Sequence, residues 1–161
     1  MNASSRRDYL VRLRPRSDTL YVSQSRTVLA TDLDGFIKDG RERGLFVHQT
    51  RLLSRYRYLI DDEPPLPVAL SNVDQHSWLG YYIREAPGVE AGRPDHGSGL
   101  VQTFTQQPLE LRITRFVAEG IHEDIDLTNF TQQTTRFRLA LEIDADFADQ
   151  SETVRGREQH G

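Results

Sequence analysis

Period-two alternation constrains this chain more than any other feature. From Leu109, the stretch LELRITRFV sets Leu109, Leu111 and Ile113 on one side and Glu110, Arg112 and Thr114 on the other. Beyond a turn at Glu119-Gly120, Ile121, Ile125 and Leu127 alternate with His122, Asp124, Asp126 and Thr128. After NFTQQTT, the stretch RFRLALEID places Phe137, Leu139, Leu141 and Ile143 opposite Arg136, Arg138, Ala140 and Glu142. Successive side chains of a strand point to opposite faces, so these segments read as antiparallel strands. One face lies in a core and the other in water or against a partner.

The first half carries the same signature. Leu20–Ser23 and Thr27–Ala30 read as strands joined at Gln24-Ser25, and Asp34-Gly35 and Asp39-Gly40 as tight turns. Glycine tolerates the positive φ that such turns require. SRYRYLID alternates Tyr56, Tyr58 and Ile60 with Arg55, Arg57 and Leu59, and the turn DDEPP precedes two further strands, VALSNV and SWLGYYIRE. A short helix over Thr50–Tyr58 competes, because Leu52, Leu53 and Tyr56 also fit helical spacing. Residues 86–99, rich in Gly and Pro, read as a flexible loop between strands. The expected fold is an all-β antiparallel β-sandwich, supersandwich-like, with at most short helices. A single domain over 19–156 fits the chain length, with an N-terminal extension (1–18) and a short tail (157–161).

The 161 residues include no cysteine, which excludes disulfides, thiolate metal sites and cysteine nucleophiles and suits a reducing cytoplasm. A net charge of −4 argues against a nucleic-acid partner, since such binders present basic faces to exploit counterion release. Lys38 is the one lysine among twenty basic residues, so nearly all the positive charge sits on forked guanidinium groups that suit carboxylates. No apolar run approaches the roughly 18–20 residues of a membrane span, so no membrane partner is expected.

Candidate chemistry is thin. His48, His76, His96, His122 and His160 show no zinc-pair spacing. Asp144, Asp146 and Asp149 lack the glycine and distal glutamate of a calcium loop, and Asp32 and Asp34 suit turn formation. Phosphate-loop, dinucleotide and nucleophile-elbow motifs are missing from the sequence, and no catalytic residue, metal ligand or cofactor is assigned. Trp78, Tyr81 and Tyr82 are weak candidates for binding substrate, because aromatic faces stack on sugar rings. They are equally candidates for the sandwich core. Trp78 and Tyr82 share a face, opposite Leu79 and Tyr81. In GLFVHQTRLLS, the polar knot His48-Gln49-Thr50-Arg51 lies between apolar anchors. It reads as a structural pin, with Thr50 and Arg51 satisfying backbone or carboxylate groups between buried Phe46 and Leu53.

Together, GLFVHQTRLLSRYRYLIDDEPP (44–65), TDLDGFI and HEDIDLTNFTQQTTRFRLALEIDADFADQSETVRG resemble the N-terminal domain of the glycogen-debranching, amylo-alpha-1,6-glucosidase family. Gly44, Leu45, Phe46, Thr50, Arg51, Leu53 and Ser54 match the family pattern. Gln49 stands where the family usually has Asp, which implies the loss of a carboxylate partner for a neighbouring arginine. The resemblance spans about Leu20 to Gly156. It implies a non-catalytic sandwich preceding an (α/α)6 glycosidase barrel that holds the catalytic carboxylates and is absent from this sequence. The implied partners are that barrel, in cis or trans, and an alpha-glucan. A free-standing carbohydrate-binding module and a homo-oligomerisation module are the alternatives. A free-standing copy and one domain of a longer polypeptide both remain open.

Overall fold

The computed structural model describes residues 18–38, 42–85, 108–131 and 133–155. The 86–99 loop, the Asp39-Gly40 turn, His96, His160, the 157–161 tail and all but Asp18 of the N-terminal extension lie outside these residues. The described strands are β1 (Leu20–Gln24), β2 (Thr27–Thr31), β3 (Gly44–Val47), β4 (Thr50–Leu53) and β5 (Arg55–Ile60). They continue with β6 (Leu66–Asp74), β7 (Ser77–Glu85), β8 (Pro108–Val117), β9 (Ile121–Asn129) and β10 (Leu139–Asp144). One helix, α1 (Gln150–Arg155), follows among the described residues.

Every strand pair is antiparallel. One sheet runs β1-β2-β3-β4, a second β6-β7-β8-β9, and β5 pairs with β10. An Ile37–Tyr56 bridge ties β5 to the segment after β2. β1 and β2 lie against β7 and β8, and the inner faces meet in a core that includes Leu29, Phe36, Ile37, Trp78, Tyr82, Leu109, Leu111 and Ile113. This is an antiparallel all-β sandwich, as the alternation predicts.

The short helix considered over 50–58 does not form. β4 and β5 occupy that span, because cross-sheet burial of Tyr58, Leu59 and Ile60 outweighs the helical spacing. The β1–β2 turn falls at Ser25-Arg26, one residue later than the sequence suggests, with Ser25 at φ 54°. β10 departs more widely from expectation. Leu139, Leu141 and Ile143 are 41%, 44% and 54% exposed, so its apolar face is open. Their cross-strand partners Ile60, Tyr58 and Tyr56 point to the same side and reach the core. β10 pairs with β5 alone among the described residues, and no second strand shields it from water.

Candidate functional site

The polar knot is a hairpin turn. His48 and Gln49 link β3 to β4 with φ of 51° and 81°, the double positive φ of a type I′ connection. Arg51, 4% exposed, turns inward from β4. Its Nε donates to Asp146 Oδ1 at 3.0 Å, its Nη2 meets Asp146 Oδ2, and its Nη1 donates to the Arg43 carbonyl at 3.3 Å. Backbone bonds close the same junction: Arg51 N–H to Ala148 O at 2.8 Å, and Gln150 N–H to Gln49 O at 2.8 Å. Burial pushes Asp146 up, but the Arg51 hydrogen bond and the Ala148 N–H outweigh it and hold the carboxyl below its usual range. Gly44 is needed beside this pair, since a Cβ there would lie 2.6 Å from Arg51 Cδ and from the Leu53 carbonyl oxygen.

Arg51 therefore finds its acceptor in the run of three aspartates, whose members are each engaged. Asp144 pairs with Arg55 at 3.3 Å. Asp149 and Glu152 form a capping box on α1: Ser151 N–H donates to Asp149 Oδ1 at 2.8 Å, and Asp149 N–H to Glu152 Oε2 at 3.0 Å. Thr50 bridges to Asp149. Phe46 is buried and Leu53 half-buried at its sides. Asp32 and Asp34 organise the turn they sit in. Phe36 N–H donates to Asp34 Oδ1, and Asp32 pairs with Arg43 at 2.9 Å. Burial raises Asp32 above its ordinary value against the pull of Arg43.

Of the aromatic trio, Trp78 and Tyr82 are 1% and 0% exposed and pack against each other, and Tyr82 stacks on Phe36. Tyr82 donates its hydroxyl to the Asp34 carbonyl at 2.5 Å. Tyr81 points to the opposite face, half-buried and in register with Arg112 of β8. The trio is thus split across the sheet. The described histidines are dispersed as well. His48 Nδ1 lies 3.2 Å from Arg26 Nη1, His76 is in the β6–β7 turn, and His122 sits 3.4 Å from Asp124 on the outer face of β9.

The polar centre that the sequence reading missed lies between the layers. Arg115 continues the buried series Leu109, Leu111, Ile113 on β8 and is itself 1% exposed. It stands directly across from Glu123 of β9, and the two form an ion pair. Arg115 also donates Nη1 to the Gly35 carbonyl at 2.7 Å and lies over the Trp78 ring at 4.7 Å. Glu123 accepts the hydroxyls of Tyr56 and Tyr58 at 2.6 and 2.7 Å, so it joins β5 to β9 across the sandwich. Burial, then the neighbouring Glu123 charge, raises Tyr56. Burial is also the main cause that pushes Tyr58 up to about 12. Glu123 and the tyrosines form the floor of an open groove of about 470 Å³, walled by Leu45, Leu52, Leu53, Ile121 and Ile125.

A sequence profile of the N-terminal domain of (some) glycogen debranching enzymes matches residues 22–161. The chain belongs to this family. No curated protein and no solved structure matches it. In this debranching-enzyme N-terminal domain, Gln49 occupies a left-handed turn position, and Arg51 is paired through Asp146.

Proposed function

We propose that this is a non-catalytic β-sandwich domain of a glycogen-debranching-type protein. It supports and orients an (α/α)6 glycosidase barrel carried in cis or in trans, with residues 19–156 as the working unit and the cytoplasm as its location. One observation carries the non-catalytic reading. Among the described residues Glu123 is the one carboxylate lining the groove, and Arg115, Tyr56 and Tyr58 already hold its oxygens. Glycoside hydrolysis requires two carboxyl groups facing each other across a cleft, one of them free to exchange a proton. The apolar walls of the groove suit a protein partner better than a polyhydroxylated chain. Burial of Trp78 and Tyr82 leaves no indole face or Tyr82 ring free to stack on sugar.

The test is direct. The purified chain incubated with an alpha-1,6-branched glucan should release no glucose, and release above the buffer control would overturn the proposal. Titration with maltooligosaccharides should leave the emission of the single tryptophan unchanged. A saturable change would favour the carbohydrate-binding alternative.

A further inference from the structure

We propose that β10 is a self-pairing edge, through which two copies of this chain join antiparallel about a two-fold axis at Leu141. Asp61 N–H donates to the Arg138 carbonyl and Ser54 N–H to the Asp144 carbonyl, so the even-numbered residues of this stretch direct their backbone groups toward β5. In an antiparallel ladder the intervening residues point the other way. Leu139, Leu141 and Ile143 therefore present their N–H and C=O groups along the outer edge, where no described strand meets them.

An antiparallel copy centred on Leu141 satisfies all of them. Leu141 bonds reciprocally with its counterpart, and Leu139 and Ile143 each face the other's equivalent in the second copy. The residue facing each position is then fixed. On one face, the three apolar side chains of each copy form a single continuous strip. On the other face, Arg138 of one copy comes opposite Asp144 of the second, at both ends of the interface. Both are well exposed and already have a neighbour of opposite sign, Asp62 for Arg138 and Arg55 for Asp144. Pairing the edges lines up Asp62, Arg138, Asp144 and Arg55 as a row of alternating charge running across the two copies. Opposite charges at facing positions stabilise a strand pair, and like charges weaken it. An isologous interface demands this self-complementarity. The contact is made by residues 138–144, none of which lines the groove among the described residues, so its test is separate from that of the glycosidase-support reading.

Sedimentation velocity over a concentration series should show a monomer–dimer equilibrium. Leu141→Lys sets two like charges face to face on the axis and should give a monomer that unfolds thermally like the unaltered chain diluted into its monomeric range, because Leu141 is 44% exposed. Arg138→Asp and Asp144→Arg should each raise the dimer Kd on the order of tenfold, since two contacts turn repulsive at once. An equimolar mixture of these two variants restores opposite charges at both ends and should recover the affinity of the unaltered chain. Monomer at every concentration, as expected if another strand of the same polypeptide occupies the edge, overturns the proposal. So does a dimer that survives Leu141→Lys, or charge variants that mixing does not rescue.

Discussion

Arg51 and Asp146 show how two residues ninety-five positions apart close this domain. The guanidinium is 4% exposed and bound through both of its forks, so truncation would strand a partly desolvated carboxylate and leave the Arg43 carbonyl without that donor. Breaking a buried pair by removing one member costs about 3–5 kcal/mol. Arg51→Ala should therefore lower the urea midpoint by a correspondingly large amount, and an unchanged midpoint would show that the pair contributes little. The pH dependence has a definite sign. The Asp146 carboxyl is held below its unfolded value, so its contribution is present above the unfolded carboxylate pKa and lost as pH falls through the lower folded value. Acid unfolding of Arg51→Ala should accordingly show less of this loss than the unaltered chain. Sequence alone gave no means of finding the partner. Arg51 stands among polar neighbours, and three aspartates lie close together at the other end of the chain. In the fold, the bridge from Thr50 to Asp149 and the backbone bonds beside it place the two segments side by side.

Elements were legible wherever local periodicity and burial agree. β8 and β9 follow their alternation throughout, and the two interruptions in their apolar series, Arg115 and Glu123, lie at mirror positions about the 118–120 turn. Folding that hairpin on paper places them face to face, so this buried pair could have been read from the sequence. α1 carried a readable signal too, since Asp149 and Glu152 have capping-box spacing. The open face of β10 was not legible. Alternation records which side of a strand is apolar, whereas burial depends on whether a neighbouring element covers that side. β7 illustrates the opposite limit, a position with no spare volume. A Cβ on Gly80 would collide with the six-membered ring of Trp78 and lie 2.9 Å from Tyr82 Cε2. Both rings are fixed in the core and have little room to yield. Gly80→Ala should cost about 1–3 kcal/mol, read as a lower melting temperature with perturbed tryptophan emission. Retention of both would mean that the rings can shift.

Across the whole molecule, the two layers are joined by apolar packing and by the chain Arg115–Glu123–Tyr56/Tyr58, which links β8 and β9 to β5. Such a chain fixes how the layers register against each other while adding little net stability, because desolvating an ion pair offsets much of its attraction. Single and double substitutions separate these two contributions. Glu123→Ala leaves the Arg115 guanidinium buried without its counter-ion and takes the acceptor from two tyrosine hydroxyls, a loss on the order of 3–5 kcal/mol. Replacing Arg115 as well, in the double variant Arg115→Met/Glu123→Leu, removes the stranded charge and fills the space with apolar atoms. Its urea midpoint should lie above that of Glu123→Ala, although it has lost more of the native polar contacts. Tyr56 and Tyr58 would then face an apolar wall and no longer be held to β9, so the groove floor should loosen even as the fold recovers. Faster amide exchange in β5 and β9 at a restored midpoint would identify the ion pair as a device for layer registry. A double variant no more stable than Glu123→Ala would instead mean that the polar chain is needed for stability itself.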